Sequence, residues 1–296
     1  MGAAAALASS ALWALSSVLL ASQSGRMKPL LMSAVRSLTA SLFLLAMLVA
    51  TRGFSQFPDA TALTIISMAA SGILGQALGD TLYINGLGIL GVNRSFPITN
   101  SAYPFLTLLL AIALLGEDLT WTLPIGGVMI VAGIVWIVLE QHAAESGNPV
   151  RVDVMRGVLF ALAAAAAWSC ATVLLRGQQG NLDAVGAANV RIPAASLAVW
   201  FTIAATGNRF GQAPAVAITP RGIVMVALAG LIGTGLGSVL FIYAVEDIGA
   251  ARTAFVTTSA PLFALPMGFL FLSERLTPRI LLGTLITIAG LWLVLI

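Results

Sequence analysis

Apolar runs of about 20 residues, separated by short polar breaks, recur along all 296 residues of the chain. They fall at 3–21, 30–50, 61–85, 93–115, 121–139, 155–175, 184–206, 221–243, 250–272 and 278–296. A helix rises ~1.5 Å per residue, so each run is long enough to cross a hydrocarbon core of about 30 Å. The breaks carry most of the charges: Arg26 and Lys28, Arg52 and Asp59, Glu117 and Asp118, Glu246 and Asp247, Glu274 and Arg275. The longest polar stretch, Glu140 to Arg156, contains Gly147, Asn148 and Pro149 and reads as a linker over 141–154. The pattern predicts an all-α membrane protein with ten transmembrane helices. The first run has the length of a signal sequence ending near Ala21. No basic segment precedes it, however, and a relative of it recurs in mid-chain, so it is expected to stay as a span.

That recurrence extends over the whole sequence. ALWALSSVLLASQSG (Ala11 to Gly25) aligns with AAWSCATVLLRGQQG (Ala166 to Gly180) at an offset of 155, which also pairs Trp13 with Trp168, Arg36 with Arg191 and Ser41 with Ser196. At 158, Gly72, Gly75 and Gly79 pair with Gly230, Gly233 and Gly237, Arg94 with Arg252, and Thr99 and Ser101 with Thr257 and Ser259. At 157, GEDLT (Gly116 to Thr120) pairs with SERLT (Ser273 to Thr277), and Gly126 and Gly133 with Gly283 and Gly290. Matches in the same order identify a tandem duplication, with one unit over 1–140 and the other over 155–296. Five spans per unit is an odd number, so the second copy enters the membrane from the opposite face. Two inverted five-helix repeats are the expected architecture, and many secondary transporters use it; channels and membrane enzymes use it too.

Composition narrows the class. Hydrophobic residues make up 59% of the chain and charged residues 8%, against the roughly 25% charged of soluble domains. Lipid must solvate part of the surface. The net charge of +3 is dispersed, with no basic stripe to bind nucleic acid. A single cysteine, Cys170, and a single histidine, His142, build neither a disulfide framework nor a common zinc site. Cys170 is expected as a buried small hydrophobe and His142 as an exposed loop residue. No catalytic device, metal or cofactor is called for, and no GxxxxGK[ST] loop marks an ATP-driven pump.

Two five-helix repeats, a tryptophan in the first span of each, GDTLY at Gly79 to Tyr83, and GEDLT and SERLT before the fifth and tenth spans resemble the EamA-type transporters of the drug/metabolite transporter superfamily. The resemblance implies a central cavity between the halves and the export or uptake of small metabolites. It also implies a multi-pass protein of the bacterial inner membrane, monomeric or homodimeric, with termini in the cytoplasm. The loop charges oppose that orientation. With the termini inside, Arg52, Arg176 and Arg252 face inwards, but Arg26, Lys28, Arg151, Arg156, Arg209, Arg221, Arg275 and Arg279 face outwards.

Charges within spans are costly, at ~2.5–3.5 kcal/mol or more at a helix centre. Arg36 and Arg191 lie roughly 10 Å into the second and seventh spans at 1.5 Å per residue. Asp80 lies near the end of the third, at a similar depth to Arg36, which predicts an ion pair acting as a gate or in proton coupling. Ser238 stands where the second half would repeat Asp80, so Arg191 is expected to be open to an anionic group of a substrate. Trp13, Tyr83, Asn100, Tyr103, Trp168, Tyr243 and Thr258 complete a candidate binding cavity. Asn100, Ser101 and Pro104 in the fourth span match Thr257, Thr258, Ser259 and Pro261 in the ninth, and such prolines free carbonyls where a cavity is lined. The glycine pairs Gly75/Gly79 and Gly233/Gly237 are expected at close helix contacts. Glu117 and Glu274 are expected to pin the turns that follow them. The function expected is alternating-access transport of a small solute, amino-acid-like or otherwise polar or amphipathic. A passive channel is the alternative. A membrane transferase would need clustered acidic residues for Mg²⁺, and Asp80 is the only one deep within a span.

Overall fold

The computed structural model describes residues 1–21, 23, 26–51, 53–90, 92–118, 120–143, 154–206, 219–260, 262–263 and 278–296. The described chain is helical, with no strand among these residues. In order come α1 (Gly2–Ala21), α2 (Pro29–Ala50), α3 (Ala62–Gly72), α4 (Asp80–Leu90), α5 (Val92–Leu110), α6 (Thr122–Ala143), α7 (Val154–Gln178) and α8 (Ala184–Thr206). Then follow α9 (Pro220–Ala229), α10 (Ser238–Ile248), α11 (Ala250–Thr257) and α12 (Pro278–Leu295). Wide π-helical turns at Ile73–Gly79 and Gly230–Gly237 join α3 to α4 and α9 to α10, making two long rods. A third π segment, Ala111–Leu115, ends α5.

The starts of these helices follow local chemistry. Thr61 and Thr219 hold extended backbone and accept from the N–H of Thr64 and Gly222, each at 3.1 Å. Pro29 and Pro220 occupy first-turn positions, where no N–H is needed. Among the described residues, seven helical stretches are long and apolar enough to cross a membrane: Gly2–Leu20, Leu30–Ala50, Ala62–Gly86, Ile98–Leu115, Met155–Gln178, Ala184–Thr206 and Pro220–Ile248. Thr122–Trp136 and Leu281–Leu295 are shorter apolar helices, and the expected ninth span, 250–272, is described only as far as 263. The bundle's outer surface is apolar, with Phe201 74%, Leu197 71%, Leu285 64% and Trp292 64% exposed. So large an apolar exterior matches lipid rather than water.

The rods bring the two sequence halves together through glycine. A methyl group on Gly72 would collide with the backbone carbonyl of Arg191 in α8, and one on Gly230 with that of Arg36 in α2. Gly75 faces Ala171 and Gly79 faces Trp168, both on α7, while Gly233 faces Ser16 and Gly237 faces Trp13, both on α1. Each contact of one rod thus has a counterpart on the other at the offsets read from the sequence. The π turns leave carbonyls outside regular helix bonding, and α1 satisfies them in antiparallel order. Ser9 Oγ donates to Gly237 O (2.8 Å), Trp13 Nε1 to Gly233 O (3.1 Å) and Ser16 Oγ to Ala229 O (3.0 Å).

Helices α6 and α12 form a second, self-matched contact. A methyl on Gly126 would lie 2.7 Å from the carbonyl oxygen of Gly290, and one on Gly133 would lie 2.6 Å from that of Gly283. The pair therefore runs antiparallel at backbone distance, beside a core of Ile130, Ile134, Phe255, Val256 and Val294.

Several expectations are refined. Among the described residues, Glu117 bonds outside its own turn. Its carboxylate accepts from the N–H groups of Ala250 (2.7 Å) and Ala251 (3.2 Å), capping α11 in the other half. Gly249, just before it, has φ of +87°, a conformation that glycine adopts without the steric cost of a Cβ. Cys170 is exposed rather than buried, because Ser169, Ala171 and Thr172 take the inward face of α7. The α6 helix runs on to Ala143, so the backbone of His142 is helical rather than looped. Glu274, Arg275 and Pro261 lie outside the described residues.

Two outcomes follow. Gly290→Leu overfills the α6–α12 contact and is expected to cost about 1–3 kcal/mol, read as a lower melting temperature in detergent. Glu117→Ala removes the α11 cap and is expected to cost about 1–2 kcal/mol, with Glu117→Gln losing less, in the same assay.

Candidate functional site

A cavity of about 310 Å³ lies where α1, α2, α5, α7, α8, α11 and the two rods meet. Nine of the ten expected site residues line it: Trp13, Arg36, Asp80, Tyr83, Asn100, Tyr103, Trp168, Arg191 and Thr258. Tyr243 does not. It is 37% exposed on α10, whose inward positions are Ser238, Phe241 and Ile242, so its ring points away from the seam.

The depth argument for Arg36 and Asp80 is realised as an ion pair. Arg36 Nη2 lies 2.5 Å from Asp80 Oδ2, and each side chain is 22% exposed. Asp80 Oδ1 accepts from Trp168 Nε1 at 3.2 Å, so the carboxylate is held by one residue from each half. Arg36 Nε is buried without a partner, which leaves the guanidinium anchored mainly through its Nη end. Trp168 packs against Tyr83 at 5.3 Å between ring centroids and meets Tyr103 edge-on at 6.2 Å. The Tyr103 hydroxyl is 3.1 Å from Thr172 Oγ1. On the other side of the cavity Trp13 packs against Phe241 at 5.3 Å.

Arg191 is 4% exposed. Its Nε donates to Ser71 Oγ at 3.1 Å, and that hydroxyl donates onward to Ala171 O at 2.5 Å. Among the described residues the ion pairs are Arg36–Asp80 and the terminal amine with Asp247, so no described carboxylate pairs with Arg191.

Sequence reasoning missed Gln76, Thr172, Ser238 and Phe241 as lining residues. Phe241 is the offset-158 counterpart of Tyr83, and Gln76 lies one turn before Asp80, so both signals were present. Ser238 was noted only for the carboxylate it lacks; in the structure it takes a long 3.5 Å hydrogen bond from Gln76 Nε2. Nothing in the sequence sets Thr172 apart.

Away from the cavity, polar contacts gather at the bundle end that holds Gly2 and Ile248; those of Gly2 and Asn181 join the halves, and those of Glu246 lie within the second half. Gly2 N–H donates to Asp247 (2.6 Å), Arg176 to Glu246 O (2.8 Å), Gln179 to the Glu246 carboxylate (3.2 Å) and Asn181 to Gln56 O (2.9 Å). The Glu117 cap on α11 lies at the same end.

A helical bundle with an apolar exterior, enclosing an aromatic cavity with an internal ion pair, defines a multi-pass integral membrane protein. The chain belongs to the EamA-like transporter family, whose sequence profile matches residues 1–139 and again 155–296. It is similar to an "Uncharacterized transporter" of Archaeoglobus fulgidus, at 24% identity over 79% of this chain and 77% of that one. It is also similar to the "Uncharacterized transporter YoaV" of Bacillus subtilis, at 27% identity over 46% of each. The "Uncharacterized protein PA1977" of Pseudomonas aeruginosa is 30% identical over 64% of this chain, which spans 60% of that relative's length. A solved structure titled "Crystal structure of protein" superposes with a TM-score of 0.78 over 99% of this chain and 95% of its own, at 18% identity, and so shares the fold.

If the Arg36–Asp80 pair is energetically coupled, Arg36→Ala and Asp80→Ala each leave an unpaired charge and are expected to cost on the order of 2 kcal/mol. The double variant is expected to cost clearly less than the sum of the two, measured by thermal unfolding in detergent.

Proposed function

We propose that the chain is a secondary transporter working by alternating access, with ten spans arranged as two inverted five-helix repeats over 1–140 and 155–296, joined by the linker 141–154. The observation that carries this reading is the position of the cavity: it lies on the seam made by reciprocal contacts, α1 on the second rod and α7 on the first. Such a seam has two equivalent packings, which is what a carrier needs in order to open to either side in turn. The antiparallel, self-matched contact of α6 with α12 supports the same two-fold relation.

The π turns supply the articulation. Their helix bonding is already loosened, and they border the cavity at Gly75, Gln76, Gly233 and Thr234. Opening at the end that holds Gly2 requires the Gly2–Asp247, Asn181–Gln56 and Glu117–Ala250 contacts to part together. Arg36 and Asp80, half-buried beside the aromatic cluster, act as a gate or a proton-linked pair. The mixture of ring faces and polar atoms suits small amphipathic or amino-acid-like solutes, and efflux across a bacterial inner membrane is the assignment made here.

In proteoliposomes an imposed proton gradient is expected to drive solute uphill; flux that only ever equilibrates identifies a passive facilitator. Asp80→Asn is expected to abolish the dependence of flux on the pH gradient. Transport by that variant with an unchanged pH dependence rules out a proton-linked role for Asp80.

A further inference from the structure

Three charged groups line the cavity among the described residues: Arg36, Asp80 and Arg191. Arg36 and Asp80 are joined at 2.5 Å and cancel. What remains is a single positive charge on Arg191, 4% exposed and without a carboxylate partner among the described residues. Keeping a lone ion out of water costs several kcal/mol, and the arrival of an opposite charge offsets that cost.

The geometry tells which part of the guanidinium is on offer. Nε is committed to Ser71, and Ser71 is committed in turn to Ala171, so the plane of the group is fixed. The Nη end lies beside Gly75, where even an added methyl group would stay 4.0 Å from Nη2. The two parallel Nη donors match the two oxygens of a carboxylate or of a comparable oxyanion. Beyond them stand Tyr103 and Trp168, whose faces suit an apolar body. At about 30 Å³ per water-sized group the space admits roughly ten non-hydrogen atoms.

We propose that this cavity selects small solutes of net charge −1, held end-on by the Nη groups of Arg191, with an apolar body against Trp168 and Tyr103. The proposal rests on the transporter reading and narrows its solutes to amphipathic monoanions, which leaves zwitterionic amino acids outside the class. A monoanion brings the cavity to neutrality. A zwitterion or a neutral solute leaves its positive charge in place, and a cation doubles it.

The test uses the full chain in neutral detergent with four probes of closely similar size: phenylacetate, phenylacetamide, phenylglycine and phenethylamine. Thermal stabilisation is expected from phenylacetate, with at least tenfold weaker binding of the other three. Arg191→Gln is expected to lose the phenylacetate effect. Arg191→Lys keeps the charge without the fork and is expected to bind about tenfold more weakly, so a folded lysine variant serves where the glutamine variant fails to fold. Failure of phenylacetate to stabilise overturns the proposal, as does equal stabilisation by phenylacetamide or phenylglycine, or undiminished binding by both Arg191 variants. Added phosphatidylglycerol serves as the arm for a lipid headgroup. Stabilisation by it that matches phenylacetate and depends on Arg191 assigns the anion to lipid and overturns the solute class. Counterflow in phosphatidylcholine vesicles separates the two readings: phenylacetate that binds but is not exchanged defeats the transporter reading alone, and uphill movement of phenylacetamide defeats the charge rule alone.

Discussion

Two backbone crossings organise this molecule: Gly72 against the carbonyl of Arg191, and Gly230 against the carbonyl of Arg36. In lipid no hydrophobic force drives one helix onto another, so association depends on how closely backbones approach and on how fully polar groups are satisfied. Both crossings meet the first condition by removing a side chain. The α1 helix meets the second for one rod, with Ser9, Trp13 and Ser16 taking up the carbonyls that the π turn releases. Everything else in the seam follows from these approaches. The tryptophans reach across because the glycines opposite them leave room, and the cavity is the space left between the two crossings.

Near-symmetry makes the differences between the halves informative. Trp168 and Trp13 occupy matching places, yet the indole of Trp168 finds a carboxylate and that of Trp13 finds a backbone carbonyl. Tyr83 and Phe241 also match, with a hydroxyl on one side only. Asp80 is answered by Ser238, which turns to Gln76 rather than to an arginine. The polar chemistry of the cavity is thus concentrated around the first rod and α7, while the second rod and α1 contribute mainly packing.

Much of this was legible in the sequence because membranes and duplications leave strong marks. Run lengths located the described helices, and the glycine pairs Gly75/Gly79 and Gly233/Gly237 marked close contacts, while Gly72 and Gly230 stood out only as an aligned pair. In-span charges singled out Arg36, Asp80 and Arg191. What escaped depended on rotation about a helix axis, which run length does not report. Tyr243 sits at a suitable depth on the wrong face, and Cys170 likewise points outwards. The partner of Glu117 escaped for a different reason: a cap on a helix 133 residues away in sequence leaves no local pattern, and only the fold brings Ala250 to it. The π turns were hidden as well, since their glycines read equally well as ordinary helix-packing positions.

The peptide unit that carries Arg191 is the same one on which Gly72 rests, at the residue just before the first π turn begins. A force applied to that guanidinium is delivered to the rod without intermediaries. In the proposed mechanism, recognition at Arg191 and movement of the rod share one piece of backbone, and no relay across the bundle is needed to connect them.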